Sequence, residues 1–201
     1  MKLLDTYSSL SDVDTEAIEA AKAAATGAIR DPVTLFREQG GMMTLPPIQA
    51  LEDNSSTKPL HFLLKIFQEG KLEDYQSFLS THTESALTDL SLDPSACTYN
   101  IRLLSLCSLA TEHEEIPYDA IASTLQVTND EVESWVIAAV SSGLLSAKMD
   151  QLQRVVMVER CVLRKFGMEE WKSLQQRLHV WKENVATIVE GLKQGQIIAQ
   201  Q

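Results

Sequence analysis

The sequence predicts a mainly α protein built in three parts: paired short helices, a small three-helix module closed by a β-hairpin, and a long C-terminal helix. Three observations carry this. Apolar residues recur at helical spacing through most of the first 80 positions. Three helix-like stretches between residues 99 and 142 run into two β-compatible segments. A strict heptad of apolar residues then occupies positions 171 to 192.

From Thr15 the stretch TEAIEAAKAAATGAIRD is rich in strong helix formers, with Ile18, Ala21, Ala25 and Ile29 on one side, so a helix ends near Arg30. Leu3, Leu4, Tyr7 and Leu10 are already helix-periodic upstream of it. Asp31-Pro32 opens a second helix that Gly40-Gly41 ends, because proline is tolerated in a first turn and glycine favours a stop. Leu45-Pro46-Pro47 to Ser56 reads as turn and loop. A helix follows Thr57 with Leu60, Leu63, Leu64 and Phe67 on one face and stops at Gly70. Another runs from Leu72 to about Leu79, burying Tyr75, Phe78 and Leu79. Short antiparallel pairs of this kind bury their faces on one another, as in a helical-repeat, solenoid-like layer.

After Asp93-Pro94, Tyr99 to Ala110 forms a helix through Ile101, Leu104, Leu106 and Leu109. Ile116-Pro117 breaks it, and Tyr118 to Leu125 forms a second. Thr128 with Glu131 three residues on is a capping box for a third, Asp130 to Ser142, which Gly143 stops. Leu144 to Met149 and Arg154 to Val158 then flank Asp150-Gln151-Leu152-Gln153 as a hairpin. Three helices followed by a two-stranded wing describe a winged helix. The expected parts are a helical-repeat region at 1–96, a winged helix at 97–166 and an amphipathic helix at 167–201.

The C-terminal helix carries the sharpest pattern. Trp171, Leu174, Leu178, Trp181, Val185, Ile188 and Leu192 are spaced alternately three and four residues apart, a heptad seam. Lys172, Gln175, Gln176, Lys182, Glu183 and Glu190 take the opposite face. Such a seam is a candidate partner-binding surface. So is the wing edge, with Leu145, Ala147, Met149, Val155 and Met157, since edge strands carry unpaired N–H and C=O groups.

Catalytic and metal chemistry finds little support. His113 lies in Glu-His-Glu-Glu without a second histidine four residues on. Asp12, Asp14 and Glu16 lack the glycine and distal glutamate of a calcium loop. Gly40-Gly41 is not followed by Lys-Ser/Thr, and His61, His82 and His179 are isolated on their helices. No catalytic, cofactor-binding or metal-binding residue is assigned, and no enzyme activity is expected.

The composition, with 44% hydrophobic and 22% charged residues, is that of a globular protein. No apolar run is long enough to cross a bilayer, and no secretory signal follows Met1. Cys97, Cys107 and Cys161 are odd in number and lack metal-ligand spacing, which favours free thiols in a reducing, cytoplasmic setting. Net charge is −11, of which residues 1–96 contribute −8. The third helix of the winged module begins with Asp130, Glu131 and Glu133 and carries no Arg or Lys, so it repels the phosphates that a groove-reading helix must approach. Basic residues gather near the wing. Arg154, Arg160, Arg164 and Lys165 are the candidates for RNA contact, in a weak RNA-binding module.

The runs NIRLLSLCSLA (Asn100 to Ala110) and VESWVIAAVSSGLLSAKMDQLQRVVMV (Val132 to Val158) resemble the PCI module of scaffold subunits in the proteasome lid, the signalosome and eukaryotic initiation factor 3. RKFGMEEWKSLQQRLHVWKENV (Arg164 to Val185) and AIRDPVTLF (Ala28 to Phe36) are similar to a scaffold subunit of initiation factor 3. That resemblance implies a non-enzymatic, cytoplasmic scaffold. Its expected partners are other PCI subunits and MPN subunits, including F and H, and through the complex the small ribosomal subunit in mRNA recruitment. The same role in the signalosome or proteasome lid is the alternative.

Overall fold

A computed structural model describes residues 15–33, 42–54, 56–82, 87, 90–164 and 167–198. The chain divides into two compact units, Met1–Lys165 and Phe166–Gln201. The N-terminal periodicity at Leu3 to Leu10, most of the helix expected after Asp31-Pro32, and Lys165 lie outside the described residues.

In the first unit, α1 (Thr15–Arg30) buries Ile29 and four alanines, Ala17, Ala21, Ala25 and Ala28, whose small side chains let its neighbours approach closely. A 3-10 turn (Met42–Thr44) leads into α2 (Pro46–Asp53). The expected loop here is corrected to a helix. Pro46 and Pro47 occupy its first turn, where their fixed φ suits the helix and no N–H is lost, and Pro47, Ile48 and Leu51 are buried. Then come α3 (Lys58–Glu69), burying Leu60, Leu63, Leu64, Ile66 and Phe67, and α4 (Leu72–His82), burying Leu72, Tyr75 and Phe78. These four helices pack on one another as a helical layer.

Helix α5 (Pro94–Glu112) starts at Asp93, whose carboxylate accepts from the N–H groups of Ser95 and Ala96. It is buried on two sides. Cys97, Ile101 and Leu104 belong to the core of the helical layer, whereas Leu103, Leu106, Cys107 and Ala110 belong to the core of the winged helix. Both flanking cores therefore share one helix as their wall.

The winged helix continues with β1 (Glu115–Pro117), α6 (Tyr118–Leu125), α7 (Val132–Ser141), β2 (Leu145–Asp150) and β3 (Val155–Cys161). Where the sequence reads as a break at Ile116-Pro117, the chain forms a short strand. The sheet thus has three strands in the order β1-β3-β2, all antiparallel, with Ile116 opposite Val156 and both side chains buried. Helix α7 ends in a Schellman pattern: Gly143, at φ +74°, donates to Val140 O (3.0 Å), and Leu144 donates to Ala139 O (3.1 Å). Gln126 ends α6 by the same two bonds, with φ +54°. The Thr128–Glu131 pair forms as expected on one side: the Glu131 carboxylate accepts from the Thr128 N–H (2.9 Å) and hydroxyl (2.8 Å). These bonds hold the Glu131 carboxyl below the usual carboxylate range.

Arg164, just beyond β3, is buried with its guanidinium turned inward. One nitrogen donates to Ile66 O (3.1 Å) and Phe67 O (2.7 Å) at the end of α3; the other donates to Ser108 Oγ (2.8 Å) and Leu104 O (3.4 Å) on α5. A helix end leaves its last carbonyls without intrahelical partners, and a cation there also suits the helix dipole. Gly70 makes room on the same carbonyl: a Cβ at that position would lie 2.9 Å from Ile66 O. Burial holds the guanidinium pKa down to about 10, still well above neutrality. Nearby Cys107 is pushed up to about 12, chiefly by burial against the opposing pull of Arg164, so it packs as a neutral thiol.

Replacing Arg164 by Met should cost about 3 kcal/mol in urea unfolding, because buried carbonyls lose a charged donor, and Arg164→Lys should recover only part of it. Glu131 titrates with a depressed folded-state pKa, so its contribution to stability is present above the unfolded value of 4.5 and is lost as pH falls through the folded one. A Glu131→Gln variant should therefore melt below the wild type at neutral pH. The gap should close as the solution is acidified past that point.

Candidate functional site: an exposed helical seam and the wing

The second unit is α8 (Met168–Ile198), 31 residues long and about 46 Å end to end at the usual helical rise. Its first turn is closed by the Trp171 N–H donating to Gly167 O (3.1 Å), and long helix-forming side chains carry it onward. The seam residues Trp171, Leu174, Leu178, Trp181, Val185, Ile188 and Leu192 are all exposed. They range from 37% at Leu174 to 67% at Trp181 and Leu192. Val189 is exposed as well and broadens the stripe, whereas Val180, also exposed, lies on the other side of the helix. Val189 was legible in principle, since it follows Val185 by four residues and precedes Leu192 by three. On the polar side, His179 Nε2 lies 3.3 Å from Glu183 Oε1 one turn on. Together the seam residues form an exposed apolar stripe along one side of a polar helix, larger than the single exposed apolar residues common on protein surfaces.

On the wing, β3 is the central strand. Met157 pairs with both Glu115 and Lys148, and Val155 with both Pro117 and Asp150. The expectation that Val155 and Met157 lie at an open edge is corrected, because β1 occupies that side. Leu145, Ala147 and Met149 are on β2, the long outer strand of the sheet, whose pairing to β3 shifts register between Ser146 and Ala147. Leu145 is buried, while Ala147 and Met149 are half-buried against the winged-helix core.

The basic residues near the wing are spoken for in several ways. Lys148 Nζ is 2.6 Å from Glu159 Oε1, and the guanidinium of Arg154 stands 5.7 Å from the centre of the Tyr118 ring. Arg160 lies opposite Ser146 in the β2–β3 ladder. The expectation of RNA contact at Arg164 is corrected, because that guanidinium is buried on the carbonyls of α3 and α5. Arg154 and Arg160 remain on the surface side of the wing.

Among the described residues no three His, Cys, Asp or Glu side chains converge to hold a metal ion, and no helix is long and apolar enough to cross a membrane. His61 is buried within α3, and His113 is the exposed cap that ends α5. Cys97, Cys107 and Cys161 are free thiols.

A scaffold of helices leading into a winged helix with a small antiparallel sheet is the architecture of a PCI domain, and the family model described as the PCI domain matches residues 73–160. The chain belongs to the PCI-domain family. A second family model, the C-terminal helix of subunit M of eukaryotic initiation factor 3, matches residues 164–192, the segment that bears the seam. Curated relatives named eukaryotic translation initiation factor 3 subunit M agree with it. The protein from Nematostella vectensis is 30% identical over 96% of this chain and 48% of its own length. Those from Dictyostelium discoideum and Drosophila ananassae are 36% identical over 78% of this chain and 40% of their own, and 33% over 96% and 47%. The chain spans about half the length of these relatives.

Proposed function

We propose that this chain is a non-enzymatic scaffold subunit of eukaryotic initiation factor 3, acting in the cytoplasm. In this role it joins other PCI and MPN subunits, F and H among them, and through the complex supports small-ribosomal-subunit binding and mRNA recruitment. The observation that carries the reading is the seam. Seven heptad positions stand exposed on α8, in the segment that matches the C-terminal helix of subunit M. Covering one large apolar side chain contributes about 1.5–3 kcal/mol, so a partner helix laid along even part of the stripe gains enough to hold a subunit in place. The parts expected from the sequence, 1–96, 97–166 and 167–201, then divide the labour: a helical region, a winged helix whose β2 edge offers strand pairing through Leu145, Ala147 and Met149, and the seam helix. The names of the relatives favour initiation factor 3 over the signalosome or the proteasome lid. Direct RNA binding is the weaker second reading, since two of its four expected cations, Arg164 and Arg154, are buried or stacked on protein.

Tagged Leu178→Asp and Trp181→Ala variants, expressed in cells in place of the natural chain, should recover initiation factor 3 subunits at a small fraction of the wild-type yield by quantitative mass spectrometry. Their winged-helix melting should be unchanged, because both side chains are exposed. Undiminished recovery from either variant, or co-purification of ubiquitin-pathway subunits instead, contradicts the proposal.

A further inference from the structure

We propose that the outer face of α7 and the tip of the wing form a second protein-docking surface, one that takes an apolar segment flanked by lysine or arginine. On α7 the residues Glu133, Ile137 and Val140 share one side, being four and three apart. Ile137 is 53% exposed and Val140 41% exposed. The helix cannot roll to hide them, because its other side is fixed. Val132, Val136 and Ala139 are buried in the core, and Trp135 lies against Tyr99 (ring centres 5.1 Å) and under the Arg102 guanidinium (5.6 Å).

The tip of the wing continues this surface. Leu152 is 97% exposed. A lone exposed leucine is ordinary, but this one is held out by a built turn. Asp150 Oδ1 accepts from the N–H groups of Leu152 and Gln153, both at 3.0 Å. Gln151 Nε2, next to Leu152, donates to Glu133 Oε2 at 3.0 Å. The Tyr118 hydroxyl donates to the other oxygen of Glu133 at 3.2 Å, and Arg154 closes the turn over the Tyr118 ring. Glu133 therefore ties the tip to the turn of α7 that leads to Ile137. A loop already ordered in its bound form loses less entropy on docking.

Charge names the partner. Glu133 on this side of α7 and Asp150 in the turn that carries Leu152 are acidic, exposed Asp130 lies two residues before α7, and Arg154, the cation of that turn, is engaged with Tyr118. In a groove-reading winged helix this is the face that meets phosphate, and here carboxylates meet it first. An apolar core with an acidic rim instead complements an amphipathic protein segment with basic flanks. This surface extends the scaffold reading but shares no residue with the α8 seam, so the two succeed or fail separately.

The test uses the whole chain and a short helix-forming Leu/Lys peptide as probe, followed by fluorescence anisotropy. Leu152→Asp, Ile137→Asp and Asp130→Lys should each weaken binding about tenfold or more, and Leu178→Asp on α8 should leave it unchanged. Leu152 and Asp130 are exposed, so their variants keep the test valid should Ile137→Asp unfold. Equal affinity in these variants, loss confined to Leu178→Asp, or preferred binding of a Leu/Glu peptide or single-stranded RNA would overturn the proposal.

Discussion

The first unit depends on α5 being buried along two sides at once. A 19-residue helix that closes the helical layer with Cys97, Ile101 and Leu104, and the winged helix with Leu103, Leu106 and Cys107, gives neither core an independent wall. Arg164 reinforces that constraint from the far end of the winged helix. Its guanidinium bonds the carbonyls of Ile66 and Phe67 on α3 and of Leu104 on α5, so a residue after the last strand completes a helix end nearly a hundred positions earlier. Such a group costs much to desolvate and much more to leave unpaired, which ties its surroundings to one arrangement.

For a scaffold this coupling has a mechanical meaning. A connector passes position from one neighbour to the next only if its own parts do not hinge. Sharing a helix between two cores supplies that stiffness inside Met1–Lys165. The apolar stripe of α8, by contrast, stands exposed along its helix, and under the proposed role its side chains gain burial when a partner covers them.

Much of this was legible in the sequence. The α1, α3 and α4 faces follow from apolar spacing, and the α7 stop follows from Gly143, because helical periodicity and left-handed caps are local properties. The seam was legible for the same reason. What escaped is non-local. Ile116-Pro117 looks like a break because proline and a three-residue span give no strand signal; only β3 alongside makes it a strand, and that in turn removes Val155 and Met157 from the edge. Pro46-Pro47 reads as a turn until Ile48 and Leu51 find the core. Arg164 reads as surface charge, since nothing local announces that the carbonyls of α3 are waiting for it. The docking face on α7 and the wing was hidden likewise, as Leu152 sits in a polar turn and Ile137 in a run that suits a core.

The most direct test of the shared-wall account is native-state hydrogen exchange on the 201-residue chain in low denaturant. The account predicts that slowly exchanging amides in α3, α5 and β3 converge on one opening free energy, so that the helical layer and the winged helix open together. An opening that exposes the amides of α3 while those of α5 and β3 stay protected would contradict it.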